Sequence, residues 1–341
     1  MSTKLSTEQM PELVSQVSAE AGIDLPAEPT LNNFPELSVV LEQPTNANAF
    51  WSVLMNKIGM TIVDFKVWQN PLSALKGEDI PYGEIIERIT MNPAIAKDYD
   101  SDPDTQFSVV IADAKVEFHS LNSKKFTTVS MNRAKIKQGF SSPSALAKTI
   151  QENINTLVAG KNIYEYRAMI NTLSTAVNSD YVVTENLARP VKTQASADNF
   201  VETLKKYGLA FGFPSTAYNK YSAIKGNGEI AFETYTDISD LYLIIPTDIL
   251  SQIDVYALSK AFNMEKETML GHIIPVDRIG KKGEKEINAI LCDKSFFQFH
   301  DYENTTAETF DARYLNYKFY HHFWSSFDIS LLANCVAFIE G

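Results

Sequence analysis

The chain has 341 residues, of which 45% are hydrophobic and 21% are charged, a composition typical of a globular protein with a large core. Its formal net charge of −12 argues against a nucleic-acid reader, because such a protein needs a basic face. The apolar run from Ile329 to Ile339 is too short to span a bilayer, no signal peptide is expected at the start, and the two cysteines, Cys292 and Cys335, suit a reducing cytoplasm.

Residues 1–45 differ from the rest of the chain in composition. They hold five of the 14 prolines, and seven acidic residues against the single Lys4. One short amphipathic helix is expected over 5–21, and the prolines beyond it exclude a longer helix or a central strand. We interpret the segment as an N-terminal arm, either a frayed terminus or a segment that orders against a neighbouring subunit. Deleting residues 1–40 is therefore expected to leave the subunit fold intact.

A β-hairpin is predicted beyond a connecting region. Residues 46–106 contain an apolar segment and then several turn signals, including Asn70-Pro71 and Gly83. Over 107–132, apolar and polar residues alternate on both sides of the polar turn Asn122 to Lys125. Period-two alternation interrupted by a turn is typical of two paired strands.

A long helix is predicted after the hairpin, over 143–175. Ser142 and Pro143 supply an N-cap and a first-turn proline, and apolar residues recur at helical spacing, with Gly160 expected to interrupt the helix. The apolar positions are Leu146, Ile150, Ile154, Leu157, Ile163, Tyr166, Ile170 and Leu173. A strand over 181–187 and a second helix over 197–207 are expected to follow.

Residues 236–300 predict a compact α/β unit. A strand that ends at Pro246 is followed by a helical pattern over 252–263 and by two strands across the polar turn Gly280 to Gly283. The remaining part of the chain, 310–339, is rich in aromatic residues and predicts long strands buried in the main body.

Three blocks of this pattern, 107–175, 240–279 and 313–339, resemble the major capsid proteins of small short-tailed phages (podoviruses) and occur in the same order. The resemblance implies the α+β Hong Kong 97-type phage capsid fold. The implied parts are an N-terminal arm (1–45), a connection to the body (46–106), an extended-loop hairpin (107–132), a peripheral domain with the spine helix (133–235), an axial domain (236–300) and a return to the peripheral domain (301–341). No immunoglobulin-like domain is expected after the last block.

The same resemblance implies a major head protein that self-assembles into hexamers and pentamers of an icosahedral shell enclosing double-stranded DNA. The implied partners are further copies of the chain, a separate scaffolding protein, a portal protein, head-fibre or decoration proteins, and packaged DNA without sequence-specific contacts; no membrane is implied. The implied location is the virion capsid, assembled in the host bacterial cytoplasm. The candidate subunit contacts lie at the two polar turns: Asn122, Lys124, Lys125, Lys281 and Lys282.

No catalytic constellation competes with this interpretation, and we expect no catalytic residue, metal or cofactor. His321 and His322, near Asp328, are adjacent in a predicted strand and would face opposite sides, which does not suit a metal site. Ser222 to Lys225 matches S-x-x-K but lacks the accompanying motifs. Two alternatives stay open: an encapsulin-like nanocompartment shell, which would hold cargo enzymes instead of DNA, and a soluble cytoplasmic α/β enzyme or ligand-binding protein.

Overall fold

The computed structural model describes most of the chain. The described residues are 10–30, 33–37, 45–46, 49–50, 53–54, 68–80, 83–94, 96, 114–132, 141–190, 194–221, 232–253, 272–311, 313–314 and 316–341. Among them, no helix is both long enough and apolar enough to cross a membrane.

The described helices include one long element. The α-helices are α1 Met10–Glu20, α2 Phe34–Leu37, α3 Pro143–Asn178, α4 Gln194–Phe211 and α5 Thr247–Leu250, and short 3₁₀ helices cover Pro71–Leu75, Ile238–Asp240 and Lys294–Phe296. The side-chain oxygen of Ser142 accepts a hydrogen bond from the amide of Ala145 at 3.2 Å, so the predicted N-cap of the long helix is confirmed. The helix predicted over 197–207 is also confirmed, as α4.

The described strands form three sheets. They are β1 Ile85–Met91, β2 Ala114–Ser120, β3 Ser123–Asn132, β4 Val183–Asn186, β5 Leu241–Pro246, β6 Ile273–Val276, β7 Lys281–Lys282, β8 Lys285–Asp293, β9 Phe297–Asp311, β10 Asn316–Ile329 and β11 Cys335–Ile339. The first sheet is the antiparallel pair β1-β2, and the second has the order β3-β10-β9. The third has the order β4-β11-β8-β5-β6, with β7 paired to β8, and within it β4/β11 and β5/β6 are parallel.

The chain divides into two compact units. The first combines Met1–Asn70, Ser123–Glu165 and Asp301–Trp324, and the second combines Pro71–Asn122, Tyr166–His300 and Ser325–Gly341. The domain boundaries implied by the resemblance remain a prediction.

The second unit is built on the third sheet. One face of β11, β8 and β5 packs against α4, whose apolar residues recur every three or four positions and so form one stripe. Phe200, Leu204 and Phe211 of that stripe are less than 1% exposed. The predicted strand ending at Pro246 is confirmed as β5, which lies inside this sheet.

The N-terminal helix α1 belongs to the core of the first unit. Met10, Val14 and Val17 are at most 1% exposed, and they belong to one apolar cluster with residues of α3 and β10, including Leu157 and Phe319. The expectation that residues 1–40 contribute nothing to the core is therefore wrong. The prolines do end the helix early, but its three buried apolar side chains fall on one face, which is enough to pack one short helix.

The long helix α3 is continuous through Gly160, so the predicted interruption is wrong. A Cβ atom at Gly160 would lie 2.8 Å from the Cγ2 atom of Thr127 in β3. The glycine thus allows a close approach of helix and strand instead of breaking the helix. Farther along, Ile163 is 41% exposed, whereas Glu165 and Met169 are buried, so the buried stripe differs from the predicted one.

The predicted hairpin around Asn122 to Lys125 is not formed. β2 pairs with β1, in the register Glu87 opposite Phe118, whereas β3 pairs with β10 in another sheet. The amide of Leu121 donates to the carbonyl oxygen of Glu84 at 2.9 Å, which extends the β1-β2 pairing to the end of β2. The alternating pattern correctly predicted two strands, but β2 and β3 do not pair with each other. Residues 107–113 of the prediction lie outside the described residues.

The second predicted turn is also placed differently. β7 is itself a short strand, and Lys281 and Lys282 pair with Glu286 and Lys285 across Gly283, whose φ is +59°. The strands β6 and β8 are not neighbours, because β5 lies between them. The helix predicted over 252–263 falls largely outside the described residues, as does Ser222 to Lys225.

Truncating two buried valines of α1 should destabilise the subunit. Replacing Val14→Ala and Val17→Ala together removes four methyl groups from the cluster, which should cost about 3 kcal/mol of unfolding free energy. Denaturant unfolding of the dispersed subunit measures this loss. Ser15→Ala, on the exposed side of the same helix, is the matched control and should change stability by less than about 0.5 kcal/mol. Equal stability of the double variant and the wild type would restore the interpretation of a non-core arm.

The contact at Gly160 can be tested by a double-mutant cycle. Gly160→Ala should destabilise the protein, although alanine is favoured over glycine in a helix by about 1 kcal/mol, because the new Cβ meets a methyl group that cannot rotate away. The hydroxyl of Thr127 donates to the carbonyl oxygen of Leu157 at 3.1 Å and fixes that rotamer. Thr127→Ser keeps the hydroxyl and removes the methyl, so it should rescue Gly160→Ala. Strictly additive effects in thermal unfolding would exclude the proposed contact.

Candidate assembly surface

The antiparallel ribbon β1-β2 presents four large apolar side chains to solvent. Ile85, Ile89 and Met91 of β1 and Phe118 of β2 are between 55% and 66% exposed. They lie on one face, since residues two apart in a strand, and residues directly opposite in the register, point the same way. We call these four residues the ribbon face. An exposed apolar face of this kind is typical of a contact surface.

The opposite face of the ribbon is polar and buried. His119 is 3% exposed and Lys115 is 9% exposed, and the ammonium group of Lys115 lies 5.6 Å from the ring centroid of Tyr221. The guanidinium of Arg88 donates to the carbonyl oxygen of Ser295 at 2.9 Å. Arg88 and Lys115 thus point inward, whereas the outer face carries the four large apolar side chains together with the exposed Glu87.

Glu117 is at the centre of this buried face. The hydroxyl of Ser330 donates to its carboxylate at 2.5 Å, and the amide of Leu331 donates to the other oxygen at 2.7 Å. A nitrogen of His119 lies 3.7 Å from it and a nitrogen of Arg88 4.0 Å. Burial raises the pKa of Glu117, but the hydrogen bonds from Ser330 and Leu331, together with the positive charge of the nearby His119, outweigh burial and leave the pKa below its ordinary value.

His119 joins two carboxylates. Its Nδ1 lies 2.8 Å from Asp328 at the end of β10, while its Nε2 faces Glu117. Burial lowers the pKa of His119, but the hydrogen bond with Asp328 and the negative charges of Asp328 and Glu117 raise it to about 9. The imidazole is therefore protonated at neutral pH and acts as a cation between two anions. We call Arg88, Glu117, His119 and Asp328 the charge cluster.

The three candidate contacts near the first predicted turn are each engaged within their own chain. The side-chain amide of Asn122 donates to the carbonyl oxygen of Phe327 at 2.9 Å and accepts from its amide at 3.0 Å, as a paired strand would. The ammonium of Lys124 lies 5.0 Å from the ring centroid of Trp324, and that of Lys125 lies 5.9 Å from the ring of Tyr164. Their role in contacts between subunits remains a prediction.

The other two candidates lie on β7 and are also paired internally. Lys281 forms an ion pair with Glu286 at 3.0 Å. Lys282 forms an ion pair with Asp180 at 2.6 Å and donates to the hydroxyl of Thr184 at 3.1 Å. These bonds fix the tip of the β7-β8 hairpin, and a role for the two lysines between subunits remains a prediction.

The histidine pair in β10 projects from both faces of its strand. His321 is buried, and burial, with the positive charge of Lys161, lowers its pKa to about 4. His322, on the other face, stacks on Tyr320 with ring centroids 6.1 Å apart. Asp328, the third residue considered at the sequence level, is bonded to His119 instead. Within the part of the chain that the structure describes, no group of three or more histidine, cysteine or acidic side chains could hold a metal.

Sequence reasoning missed the ribbon face and the charge cluster. A signal for the ribbon face was present in the sequence. Ile85, Ile89 and Met91 are separated by even numbers of residues, so they would share one face of a strand. The turn signals at Gly83 and Asn92-Pro93 on either side led to an interpretation of the region as loop. The two residues that donate hydrogen bonds to Glu117, Ser330 and Leu331, lie more than 200 residues away, so no local pattern could reveal them.

The charge cluster should make stability depend on pH. A histidine whose pKa rises from 6.5 in the unfolded chain to about 9 in the fold contributes stability that is fully present below pH 6.5 and is lost as the pH rises through 9. We expect His119→Gln to cost about 2 kcal/mol near pH 6.5, less than the full shift would give, because Asp328 stays partly solvated. This cost should shrink as the pH approaches about 10, when the wild-type imidazole is also neutral.

Urea unfolding of both proteins at several pH values measures this difference. His322→Gln removes a half-buried histidine of the first unit that lies outside the charge cluster, and it serves as the control for the loss of an imidazole. A cost of His119→Gln that stays constant from pH 6.5 to about 10 would mean that His119 does not act as a cation in this cluster.

Known proteins resemble this chain along most of its length. The chain is 28% identical to the major capsid protein of Bacillus phage B103 over 304 residues, covering 89% of this chain and 66% of that protein. It is 25% identical to the major capsid protein of Streptococcus phage Cp-1, covering 85% of this chain and 82% of that protein. The chain spans about two thirds of the length of the curated relatives from Bacillus phages that it matches.

Two solved phage structures contain a chain with a similar fold. A chain in the capsid structure of Staphylococcus phage Andhra matches with a TM-score of 0.65 at 12% identity, covering 81% of this chain and 86% of that one. A chain in a structure of the head fibre and inner core protein of native bacteriophage P68 matches with a TM-score of 0.59 at 13% identity, with the same two coverages. The predicted α+β Hong Kong 97-type fold is therefore confirmed.

A family model described as "Phi29-like phage major capsid protein" matches residues 13–339, which is almost the whole chain. Proteins of this family are structural components of phage capsids, not enzymes. The resemblance found in the sequence is thus confirmed. The chain belongs to the Phi29-like phage major capsid protein family.

Proposed function

We propose that this chain is the shell-forming subunit of a phage head and associates with further copies of itself through the ribbon face. Hexamers and pentamers of the subunit would close an icosahedral shell around double-stranded DNA. The observation that carries the proposal is the exposure of Ile85, Ile89, Met91 and Phe118 on one face of a ribbon whose other face is anchored by charges.

The ribbon face is suited to a second copy of the chain. An isolated two-stranded ribbon is only marginally stable in water, and exposed apolar side chains lower its stability further. The four side chains are 55–66% exposed, so burying their remaining surface against a neighbour would contribute about 4 kcal/mol or more before the entropy of association is subtracted. A contact of this kind repeats in every subunit of a ring, so a modest gain for each copy stabilises the whole shell.

The remaining partners follow from the same proposal. Packaged DNA would be held without sequence-specific contacts, in keeping with a net charge of −12. A separate scaffolding protein, a portal protein, and head-fibre or decoration proteins would complete the head, with assembly in the host bacterial cytoplasm and residence in the virion capsid. The match over 13–339 to phage capsid proteins disfavours the encapsulin-like alternative and a soluble enzyme. The content of purified particles would distinguish the two kinds of shell: nucleic acid is expected in a phage head, and cargo enzymes are expected in a nanocompartment.

Removing apolar surface from the ribbon face should block assembly without unfolding the subunit. Ile89→Ser with Phe118→Ser takes away two of the four exposed side chains, each worth about 1.5–3 kcal/mol when buried. The wild-type protein should form rings, tubes or shells at micromolar concentration, whereas the double variant should stay dispersed. Light scattering and negative-stain imaging report assembly, and thermal unfolding followed by circular dichroism reports the subunit fold.

A matched control uses an exposed aromatic residue outside the ribbon. Tyr314→Ser removes a side chain that is 62% exposed in the first unit, and it should assemble like the wild type. Normal particles from the ribbon double variant would refute the role of the ribbon face. A wild-type protein that remains a 38 kDa monomer at every salt concentration would refute the shell function itself.

A further inference from the structure

Two cysteines face each other in the central sheet of the second unit. Cys292 lies in β8 and Cys335 lies directly opposite it in the antiparallel neighbour β11. Both side chains are almost completely buried, at 0% and 2% exposure, and both are free thiols. Directly opposite residues point to the same side of a sheet, so the two sulfur atoms share one face.

The backbone hydrogen bonds identify the kind of pair. The amide of Asp293 donates to the carbonyl oxygen of Asn334 at 2.9 Å, so that neighbouring pair is hydrogen-bonded. The amide of Cys335 donates instead to Tyr218 at 3.0 Å, outside the β8-β11 ladder. Because hydrogen-bonded and non-hydrogen-bonded pairs alternate, Cys292 and Cys335 form a non-hydrogen-bonded pair, in which the Cα atoms are about 4.5 Å apart. This separation lies within the range of about 4.4–6.8 Å that a disulfide spans.

We propose that Cys292 and Cys335 form an intrachain disulfide when the folded protein meets hydrogen peroxide, and that this bond locks the C-terminal strand β11 into the sheet. The disulfide would lie within one chain, so it does not depend on the proposed self-assembly. In a reducing cytoplasm both thiols would stay reduced, and the bond would form only once the protein reaches an oxidising environment.

The reaction is balanced with peroxide as the two-electron oxidant. The thiolate of one cysteine attacks an oxygen of the peroxide, the O–O bond breaks, and a sulfenic acid and one water form. The second thiol then attacks the sulfenic sulfur, the S–O bond breaks, the S–S bond forms, and a second water leaves. In sum, two thiols and one peroxide give one disulfide and two waters.

Burial decides the rate of this reaction and the choice of oxidant. Burial, together with the neighbouring Cys335, raises the pKa of the Cys292 thiol well above its ordinary value, so little thiolate is present at neutral pH. The thiol also donates weakly to the carbonyl oxygen of Tyr242, with a sulfur-to-oxygen distance of 3.7 Å. A small neutral oxidant can reach such a site more readily than a peptide disulfide can. The reaction should therefore be slow at neutral pH and faster in alkali.

The bond would act on the strand that closes the sheet. β11 lies between β4, its parallel partner, and β8, its antiparallel partner, so losing β11 would divide the sheet. The disulfide would close a loop from 292 to 335, which contains β9 and β10. It would make the equilibrium constant for unfolding about 30-fold smaller or more, which is the lower end of the range typical of protein disulfides.

The test uses the full-length protein, purified under reducing conditions and then treated with hydrogen peroxide at about pH 7 and about pH 9. The expected product has lost the mass of two hydrogen atoms, retains no free thiol in denaturant, and yields one linked peptide that contains Cys292 and Cys335. Reduction should reverse all three changes. In denaturant, the equilibrium constant for unfolding of the oxidised protein should be about 30-fold smaller than that of the reduced protein. The disulfide should form faster at the higher pH.

Single variants provide the matched controls. Cys292→Ala and Cys335→Ala should each gain oxygen at the remaining cysteine and form no linked peptide. Four outcomes with the wild type would overturn the proposal: both thiols survive at the higher pH, oxygen adducts form without a linked peptide, the linked peptide joins two chains, or the disulfide forms without added resistance to denaturant. The wild-type measurements do not depend on whether the alanine variants fold.

Discussion

The position of the ribbon depends on how the charge of Glu117 is compensated. Its side chain is 10% exposed, and an ionised carboxylate at that degree of burial is costly unless protein groups replace the lost water. Ser330, Leu331 and His119 supply those groups, two of them from the segment that leads into β11. The bond that satisfies the charge is therefore also the bond that holds β2 against a distant part of the second unit.

The alternation of β2 couples this anchor to the ribbon face. Glu117 and His119 point inward and Phe118 points outward, because consecutive residues of a strand face opposite sides. A shift of one residue in the β1-β2 register would expose the charges and press Phe118 against the polar partners of Glu117. The charge cluster thus fixes the register, and the register fixes which apolar side chains are exposed.

Local patterns made the long helix and the buried strand predictable. Ser142 caps α3 as expected, and Pro246 ends β5 as expected, since both effects act within a few residues. Gly160 could not be interpreted correctly from its neighbours, because the reason for it is a methyl group of Thr127 in another element. The burial of Glu165 in α3 could not be predicted either, because a charged residue does not belong to the apolar pattern of the helix. Its partners include Lys161, one turn earlier in the helix.

The N-terminal segment shows where composition misleads. Its acids and prolines suggested a segment outside the core, yet composition averages over both faces of a helix. Glu12 and Glu20 of α1 face solvent, whereas Val14 and Val17 are buried against the first unit. One face of an 11-residue helix is enough to join a core, whatever the charge of the other face.

The ribbon was missed for a different physical reason. Alternation in a sequence tells which side chains share a face, but it does not tell which strand pairs with which, or whether the apolar face is covered by the same chain. Phe118 and Phe126 were both taken as parts of one hairpin, whereas they lie in strands of two different sheets and are both more than half exposed. In a subunit that completes its packing against its neighbours, the apolar pattern of a strand records contacts of the assembly as well as of the chain. Such a pattern can be assigned only when the exposure of each side chain in the single subunit is known.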